Sequence, residues 1–393
     1  SNTPQIRFAG FTDAWEQRKL HELGSIMTGS TPSTSNSSFY SDDGIPWVTP
    51  TDITSNLISN TPRKLSKEGE RVARVVPPNT ILVTCIASIG KNALLQVKGS
   101  FNQQINSLTP YDDNDPYFLL SESELWSAKM KRQAAAATMQ IVNKTEFSEI
   151  ETLIPTKPEQ HQIGTYFHTL DTLITLHQRK CDALQKFKKS MLQKMFPQNG
   201  ESVPEIRFAG FTDAWEQRKL GECFAERSER SADGELIAVT INSGVVKASD
   251  LNRHDNSSED KSNYKVVRKN DIAYNSMRMW QGASGFSRYD GILSPAYTVL
   301  IPKEGVNSHF FAYMFKLYYM IHEFEINSQG LTKDTWNLKY PALSPISIFM
   351  PKYEEQTKIA DYFEKLDTLI TLHQRKLETL QKMKKSLLQK MFV

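Results

Sequence analysis

A short run of hydrogen-bonding and aromatic side chains follows one of the predicted strands. It contains Asn275, Ser276, Arg278, Trp280 and Gln281. Arginine pairs with the hydrogen-bonding edge of guanine, and asparagine or glutamine pairs with that of adenine, so this run could recognise nucleic-acid bases. The alternative is structural, with Tyr274 and Trp280 in the core and the polar residues filling a turn. The residue types alone leave both interpretations open.

Motifs that would carry catalysis or bind a cofactor are mostly absent from the sequence. There is no G-x-x-x-x-G-K-[ST], no G-x-G-x-x-G, no G-x-S-x-G and no H-E-x-x-H. The string Asn114–Tyr117 is similar to the Asn/Asp-Pro-Pro-Tyr element of adenine-N6 methyltransferases, but it lacks the second proline and no glycine motif for a cofactor precedes it. A turn before a helix explains this string equally well. We therefore predict no catalytic residue, no metal ligand and no cofactor in this chain.

The charges are close to balanced. The 393 residues carry a net charge of +3. Segment 21–154 has 11 basic and 14 acidic residues, and segment 221–350 has 14 and 15, so the positive excess lies elsewhere. Because non-specific affinity for DNA grows with the number of phosphates neutralised, we expect the chain alone to bind DNA weakly, unless its charges are segregated or a partner helps.

Length and cysteine content place the chain in a broad class. The length allows two or three domains, each of which can bury its own core. Cys85, Cys181 and Cys223 are widely spaced, which indicates a reduced, cytoplasmic protein without a disulfide framework. No apolar run reaches the roughly 18 residues of a membrane span, and the first residues contain no apolar signal core.

Two long internal repeats determine the predicted organisation. IRFAGFTDAWEQRKL occurs at 6–20 and 206–220, and LDTLITLHQRK occurs at 170–180 and 366–376. The period of about 200 residues is too long for a solenoid, so each copy is a domain with a connector. The final QKMFV matches the QKMFP that leads into a polar join at 197–205. This match predicts a pseudo-twofold, circularly closed body with neighbouring termini.

The end of each copy predicts a long helix, the first over Glu159–Phe196. Apolar positions alternate spacings of four and three, which is a heptad seam, and at about 1.5 Å per residue each helix would be on the order of 55 Å long. We predict an antiparallel coiled coil; the alternative is a pair of core helices in an all-α domain. The predicted seam residues are Ile163, Phe167, Leu170, Ile174, Leu184, Ile359, Phe363, Leu366, Ile370 and Leu380.

The segments between the repeats contain short β-like runs, such as Thr80–Thr84 and Ala296–Ile301, separated by turn residues. Helical stretches are also present, for example His309–Ile326. The fold class is therefore predicted to be α+β, with two α/β domains that have twisted sheets and are joined by the two long helices.

The two segments are also weakly alike. Val75–Leu82 aligns with Val266–Ala273, and the alignment then places Gly90 near Gly282. We interpret the chain as an old duplication in which the middle of each copy diverged.

The order of these features resembles the specificity subunit of type I restriction–modification systems. The resemblance rests on Thr28–Ser33 and Ile45–Ile53 in the first segment, and on Asp271–Ala283 and Ser294–Tyr297 in the second. After each segment, Pro-x-x-x-Glu-Gln precedes a helix with Leu-Asp-x-Leu-Ile. The resemblance covers nearly the whole chain. In that family the segments are target recognition domains and the repeated parts are conserved spacer regions.

The resemblance implies a non-catalytic subunit that reads a bipartite, asymmetric site in double-stranded DNA. Each recognition domain would read one half, and the helices would set a fixed gap of unread bases. The implied partners are two modification subunits, which bind S-adenosylmethionine and methylate an adenine flipped out of the duplex, and two restriction subunits, which use ATP and Mg²⁺. The implied location is cytoplasmic, with no membrane partner.

The resemblance and the internal alignment together predict which loops contact DNA. In the second segment these are the polar run 275–281 and the nearby Ser294 and Tyr297. In the first segment they are the aligned loop 84–91 and the polar residues predicted to lie near it. The predicted DNA-binding residues are Thr28, Ser30, Thr31, Thr49, Thr51, Asp52, Thr84, Ser88, Lys91, Gln103, Gln104, Asn106, Asn275, Ser276, Arg278, Trp280, Gln281, Ser294 and Tyr297.

The predicted domain boundaries follow the repeats. The chain divides into a frame segment packing near the C-terminus, a first recognition domain, a spacer helix with linker, a second frame segment, a second recognition domain and a second spacer helix. The predicted ranges are 1–20, 21–154, 155–205, 206–220, 221–350 and 351–393.

Two other functions remain open from the sequence. A stand-alone DNA adenine methyltransferase would bind S-adenosylmethionine as an isolated chain, and a coiled-coil scaffold that binds only protein would show no sequence-specific retention of DNA. If the helices act as a ruler between half-sites at a fixed helical phase, residues added at the join after Phe196 change the gap and leave both half-sites unchanged.

Overall fold

The computed structural model describes residues 2–136, 141–198, 200–251 and 257–393. The chain forms two units, of which the first contains residues 1–179 and 374–393 and the second contains residues 180–373. Each unit combines a β-rich segment with parts of both long helices.

The first copy of the repeat supplies eleven of the named strands and five α-helices. In chain order they are β1 (Glu16–Lys19), α1 (Leu20–Leu23), β2 (Gly24–Thr28), β3 (Tyr40–Val48), β4 (Leu57–Ile58), β5 (Lys64–Leu65), α2 (Lys67–Val72), β6 (Val75–Val76), β7 (Thr80–Thr84), β8 (Asn92–Leu95), β9 (Gly99–Phe101), β10 (Ile105–Pro110), α3 (Pro116–Ala136), α4 (Lys144–Ser148), β11 (Glu151–Ile154) and α5 (Lys157–Lys194).

The second copy supplies the remaining named elements. They are β12 (Glu216–Lys219), α6 (Leu220–Cys223), β13 (Phe224–Glu226), β14 (Ile237–Thr240), β15 (Gly244–Lys247), β16 (Lys265–Val267), β17 (Ile272–Asn275), β18 (Ser284–Phe286), β19 (Gly291–Leu293), β20 (Tyr297–Pro302), α7 (Ser308–Met314), α8 (Tyr318–Ile326), α9 (Tyr340–Leu343), β21 (Ser347–Met350) and α10 (Tyr353–Met391). Short 3₁₀ helices occur at Ser37–Phe39, Ala248–Asp250 and Met279–Gln281.

The first unit is organised around two sheets. One has the strand order β2-β10-β7-β8-β4, the other has the order β5-β3-β9-β6, and β1 pairs with β11 in a separate ribbon. The central strand β7 has the sequence TILVT and is buried along its whole length. Continuous burial requires apolar or β-branched residues at every position, which explains why this strand is visible in the sequence.

The second unit repeats part of this topology. Its main sheet has the order β13-β20-β17-β18, which matches β2-β10-β7-β8 strand for strand, and small two-stranded sheets flank it. The turns before β7 and β17 also agree, because Asn79 and Asn270 both have positive φ, at 66° and 72°. Asparagine tolerates this left-handed conformation better than most residues. The weak alignment of the two segments therefore corresponds to a shared sheet.

The two long helices pack antiparallel within each unit. In the first unit Lys384 Nζ on α10 lies 2.8 Å from Asp171 Oδ1 on α5, while Phe392, just after α10, packs on Phe167 with ring centroids 5.5 Å apart. As the residue number rises on one helix, the number of its partner falls on the other. The second unit shows the same order with Lys188–Asp367 and Phe196–Phe363.

The beginning of each long helix is fixed in the same way. Glu159 is buried near the start of α5, and its carboxylate accepts two hydrogen bonds, at 2.7 and 2.8 Å, from the Arg7 guanidinium. In the second unit Arg207 donates to Glu355 at 2.6 and 2.8 Å. Such two-point bonds between charged groups are strong and directional, so each repeated segment is held against a helix of its own unit.

The predicted seam residues are buried or half-buried, but they do not pack only helix against helix. Ile163, Phe167 and Leu170 belong to the same core as Trp15 of the repeated segment and Trp126 of α3. On the second copy, Ile359, Phe363 and Leu366 share a core with residues of α7 and α8. The α+β class with two long helices is confirmed, and the helices also serve as walls of the domain cores.

One predicted helix, His309–Ile326, is divided in the structure into α7 and α8. Leu317 has an extended conformation, with φ −72° and ψ 145°, and interrupts the helix. Phe315 and Leu317 are both buried. Residues two apart lie on nearly opposite sides of a helix, so a continuous helix would expose one of them.

Candidate nucleic-acid interface

The predicted residues of the first unit lie at one end of its sheets. Ile105 at the start of β10 pairs with Thr84 at the end of β7, and Asn106 pairs with Thr28 at the end of β2. Strands β3 and β9 run parallel, and Asn102 N donates to Val48 O just beyond their ends. The loops that follow β2, β3, β7 and β9 are therefore neighbours.

The loop between β7 and β8 is a tight turn held by one hydroxyl. Thr84 Oγ1 donates to Ser88 O and accepts from Lys91 N at 2.9 Å. Gly90 and Ala87 have positive φ, at 79° and 61°, and for alanine this conformation is strained. Lys91 Nζ donates to Pro50 O at 3.1 Å, which ties the loop to the next one.

The loop after β3 is closed by a carboxylate. Asp52 Oδ2 accepts hydrogen bonds from Thr49 N at 2.8 Å and from Thr49 Oγ1 at 2.6 Å. The carboxylate reaches back to the backbone N–H three residues earlier, as an acidic side chain does in a capping box. The Thr51 hydroxyl lies 2.8 Å from that of Thr49, and Thr51 is exposed.

The loops after β2 and β9 contact each other. Thr31 Oγ1 donates to Gln103 Oε1, and both residues are exposed. Ser30 Oγ accepts from Arg74 N at 2.8 Å. Gln104 is half-buried, and its Oε1 accepts from Asn102 Nδ2 at 3.1 Å. Of the predicted residues on these two loops, Thr31 and Gln103 are exposed, whereas Ser30 and Gln104 are half-buried.

Three predicted residues are buried with their polar atoms bonded inside the fold. Asn106 Nδ2 donates to Cys85 Sγ at 3.2 Å, and Asn106 Oδ1 accepts from Thr28 Oγ1 at 2.7 Å. Thr84 holds the turn described above, and Ser276 Oγ lies 2.8 Å from Thr298 Oγ1. These side chains shape the loops and are not presented to solvent.

The corresponding turn of the second unit follows β17. Asn275 pairs with Tyr297 on β20, and Asn275 N donates to Ala283 O at 2.9 Å, which closes the turn. Gly282 has φ 81°, the conformation that favours glycine. Ser294 O accepts from Tyr297 N at 3.1 Å, so Ser294 lies next to the same strand end.

Arg278 lies in the same turn and carries its one positive charge. It is half-buried, and within the described ranges its guanidinium makes neither a hydrogen bond nor an ion pair. Gln281, three residues later, is exposed. An unpaired guanidinium beside an exposed amide is free to bind a planar hydrogen-bonding partner.

A second loop, at residues 332–337, packs against this turn and contains none of the predicted residues. Trp280 and Trp336 are in edge contact with ring centroids 5.5 Å apart, and Lys333 Nζ lies 5.6 and 5.4 Å from the two centroids. Leu338 N donates to Ser276 O at 2.8 Å, which attaches the loop to the turn. The sequence signal for it was the lysine and tryptophan of TKDTWN, a cation interleaved with an aromatic residue.

Lys316 supports the same turn from behind. Although the residue as a whole is exposed, its Nζ donates to Ile241 O at 2.9 Å and also to Gly282 O. Desolvation lowers the pKa of Lys316 to about 8, and the charge of Lys188 acts in the same direction. The ammonium therefore links the turn to residue 241 and titrates closer to neutral pH than most lysines.

The remaining candidates for metal or redox chemistry are the histidine, cysteine and acidic side chains. Among the residues that the structure describes, no three histidine, cysteine or acidic side chains are grouped so that they could hold a metal ion. The three cysteines are buried and unbridged, and burial raises the pKa of Cys85 to about 12 and that of Cys223 to about 11. No helix in the described ranges is both long and apolar enough to cross a membrane.

A family model, the type I restriction modification DNA specificity domain, matches the chain twice, over residues 12–186 and 212–382. The type I restriction enzyme MjaIX specificity subunit of Methanocaldococcus jannaschii is 26% identical over 236 residues, 56% of this chain and 53% of that protein. The HindI specificity subunit of Haemophilus influenzae is 35% identical over 150 residues, 36% of this chain and 32% of that protein. The chain thus spans about half, or less, of these curated relatives.

A solved structure has a similar fold over the full length. The crystal structure of the S subunit of a type I restriction–modification system from M. genitalium covers 100% of this chain and 99% of its own, with a TM-score of 0.66. The sequence identity is 16%, so this similarity concerns the fold.

Proposed function

We propose that this chain, which belongs to the type I restriction modification DNA specificity family, reads a bipartite site in double-stranded DNA through one loop surface on each unit. The observation that carries the proposal is that both units present a strand-end turn with hydrogen-bonding side chains at the same place in matching sheets. In this proposal residues 21–154 and 221–350 are the recognition domains, the repeated parts are spacers, and the chain catalyses nothing itself.

The exposed members of the predicted set are the ones we assign to DNA contact. In the first domain they include Ser88, Lys91 and Gln103, and in the second Gln281. We also assign Arg278 to DNA contact, because it is half-buried but its guanidinium has no polar partner within the described ranges. Arginine to guanine and glutamine to adenine are the pairings that distinguish bases in the major groove. We assign the buried Thr84, Asn106 and Ser276 to holding the loops in shape.

The presence of two recognition domains in one chain explains how DNA could be bound although neither domain has a positive net charge. The segments carry net charges of −3 and −1, so each neutralises few phosphates by itself. When two weak readers are linked, binding of the first raises the effective concentration of the second, and the combined affinity exceeds either alone. Specific binding by the chain is therefore expected to require both half-sites and to be strengthened by partners.

The partners we propose are two modification subunits, and where the host has them two restriction subunits. An identical exposed apolar pair supports two copies of one partner: Leu173 and Leu176 in the first unit, and Leu369 and Leu372 in the second, where Leu176 is 60% and Leu372 61% exposed. Exposed apolar side chains that form a contiguous patch mark protein contacts, and two leucines three residues apart lie on the same face of a helix. S-adenosylmethionine would then belong to the modification subunits, ATP and Mg²⁺ to the restriction subunits, and the complex to the cytoplasm.

The deciding experiment is a methylome. The chain is coexpressed with its neighbouring modification subunit in a host free of DNA methylation, and the genomic N6-methyladenine is mapped by sequencing. Each protein expressed alone is the control. The expected result is a single split motif, methylated on both strands only when both proteins are present.

Other outcomes would contradict the proposal in different ways. Methylation by this chain alone, or S-adenosylmethionine binding by the isolated chain, would favour the methyltransferase alternative. Absence of methylation from an assembled complex whose modification subunits are active would favour a scaffold that binds only protein. Retention of DNA by the complex without any sequence preference would also contradict a specificity role.

A further inference from the structure

A tyrosine, an aspartate and a lysine meet in the first unit. Tyr117 Oη on α3 donates to Asp171 Oδ2 on α5 at 2.9 Å, and Lys384 Nζ on α10 lies 2.8 Å from Asp171 Oδ1. The same domain adds Asn56, whose Nδ2 donates to Asp171 Oδ2 at 2.8 Å, and Glu124, whose Oε1 lies 3.3 Å from Lys384 Nζ. We refer to Tyr117, Asp171 and Lys384 as the first triad, and it joins the domain to both long helices.

The second unit contains a matching group. Tyr313 Oη on α7 donates to Asp367 Oδ2 on α10 at 2.8 Å, and Lys188 Nζ on α5 donates to Asp367 Oδ1 at 2.5 Å. Lys188 Nζ also lies 5.2 Å from the centroid of the Tyr313 ring, within range of a cation–π contact. Tyr313, Asp367 and Lys188 form the second triad, which again joins a domain to both helices.

The two triads occupy corresponding positions in the duplicated sequence. The same 196 positions separate the equivalent residues, which are Tyr117 and Tyr313, Asp171 and Asp367, and Lys188 and Lys384. Each triad takes its tyrosine and aspartate from one copy and its lysine from the other. The aspartates and lysines lie in nearly identical helices, whereas the tyrosines lie in segments that otherwise differ, YDDNDPYFLL against NSHFFAYMFK. What the two tyrosines have in common is therefore their hydrogen bond to the equivalent aspartate, and not the sequence around them.

The hydrogen bonds of each triad are strong and directional, so they constrain how the domain sits on the helices of its own unit. A hydroxyl that donates to an ionised carboxylate forms a stronger and shorter hydrogen bond than a neutral pair. Burial, followed by the adjacent aspartate charge, raises the pKa of both Tyr117 and Tyr313, so both hydroxyls stay protonated and keep donating near neutral pH. Because the carboxylate also binds a lysine of the other helix, rotation of the domain on the helices would break several bonds together.

We propose that the two triads are positioning residues that fix the angle of each recognition domain on the helices of its own unit, and thereby restrict the number of unread base pairs that the complex accepts between the half-sites. This inference rests on the proposed function. It also gives a role to the string Asn114–Tyr117: Asp115 Oδ1 accepts from Tyr117 N and Phe118 N, both at 2.9 Å, and so begins α3 at the point that places Tyr117 over Asp171.

The test uses the full chain assembled with its modification subunits. Tyr117→Phe and Tyr313→Phe remove one hydroxyl each, and Tyr111→Phe and Tyr318→Phe are matched controls because Tyr111 and Tyr318 are exposed. In the methylome of each triad variant, we expect sites whose gap is one base pair longer or shorter to gain at least about tenfold in methylation, since loss of a hydrogen bond to a charged group exceeds the ~1.4 kcal/mol needed for tenfold. Both half-site sequences should stay as in the wild type.

Lys384→Gln and Lys188→Gln extend the test to the other helix, and they should also raise methylation at sites whose gap is one base pair longer or shorter. Thermal unfolding and complex assembly show that each variant is folded. The inference is overturned if folded variants keep the wild-type gap, or if a half-site changes instead. It is also overturned if all four triad variants fail to assemble while both controls assemble, because the triads would then serve the fold alone. A wild-type complex without a split motif would refute the proposed function itself.

Discussion

At the scale of single residues, Glu122 shows how burial changes the chemistry of a side chain. Its Oε1 accepts from the Thr152 hydroxyl, which also accepts from Trp126 Nε1 at 3.2 Å. Among the described residues, Glu122 Oε2 has no hydrogen-bond partner. Desolvation raises the pKa of Glu122 to about 8, against smaller opposing effects of Thr152 and Lys129. Below that pH the folded protein therefore holds a neutral carboxylic acid in its core.

This burial predicts a pH-dependent stability. From the ordinary value of 4.5 up to about 8, the folded state keeps a proton that the unfolded state releases. The free energy of unfolding should therefore fall as the pH rises through this window, by at most about 1.4 kcal/mol per pH unit. Glu122→Gln should remove this slope, whereas Glu68→Gln on the surface should keep it. Chemical denaturation across the window measures both, and parallel curves for wild type and Glu122→Gln would contradict the assignment.

Arg278 provides a test of base reading. In the assembled complex, Arg278→Ala should weaken binding to the specific site by about 1–3 kcal/mol and relax the preference at one base pair of one half-site. Arg268→Ala is the control, because the Arg268 guanidinium is paired with Glu229 at 2.9 Å in the same domain. Binding measurements on single-base variants of the site decide the matter. An equal loss on every sequence would indicate a phosphate contact in place of base recognition.

At the scale of elements, each long helix is anchored by a phenylalanine just beyond its end. Phe196 stacks on Phe310 with centroids 5.2 Å apart, and Phe392 stacks on Phe118 at 5.4 Å. Each also meets a tryptophan edge-on, Trp215 or Trp15 respectively. The helix end is thus part of a domain core, and the direction of the helix depends on that packing.

Truncation of these anchors should therefore destabilise the unit to which each belongs. Phe196→Ala and Phe392→Ala should each lower the free energy of unfolding by about 3–5 kcal/mol, through lost burial and a residual cavity. Phe187→Ala, at a 47% exposed position of α5, should cost much less. Denaturant unfolding of the three variants provides the comparison. Similar losses at all three positions would show that the terminal phenylalanines are not special anchors.

At the scale of the whole molecule, the duplicated sequence and the join between its copies carry the ruler hypothesis. The join begins after Phe196. A hydrogen bond of 2.8 Å from Ile206 N to Lys194 O connects the residues on either side of it. A few residues inserted after Phe196 should change the gap of the methylated motif and leave both half-sites unchanged. The methylome of the insertion variant measures this. If the insert is absorbed by the loop and the gap stays the same, the join is not part of the ruler.

The sequence by itself determined the duplication, the α+β class, the two long helices and several strands, including β7 at Thr80–Thr84. These features follow from local patterns, because a repeated string forms the same element twice and the period of apolar residues records which face is buried. The turns with Gly90 and Gly282 were also predictable, since alignment of the segments placed them together and both have positive φ.

Only the tertiary structure decided which polar residues reach the surface and which distant residues meet. Asn106 and Ser276 carry suitable groups but are buried, and Trp336 joins Trp280 from a loop far along the chain. The first triad likewise combines Tyr117, Asp171 and Lys384 from three separate helices. The physical reason is that local periodicity specifies how much of an element is buried, whereas contacts between distant elements depend on how their surfaces fit, which no short stretch of sequence contains.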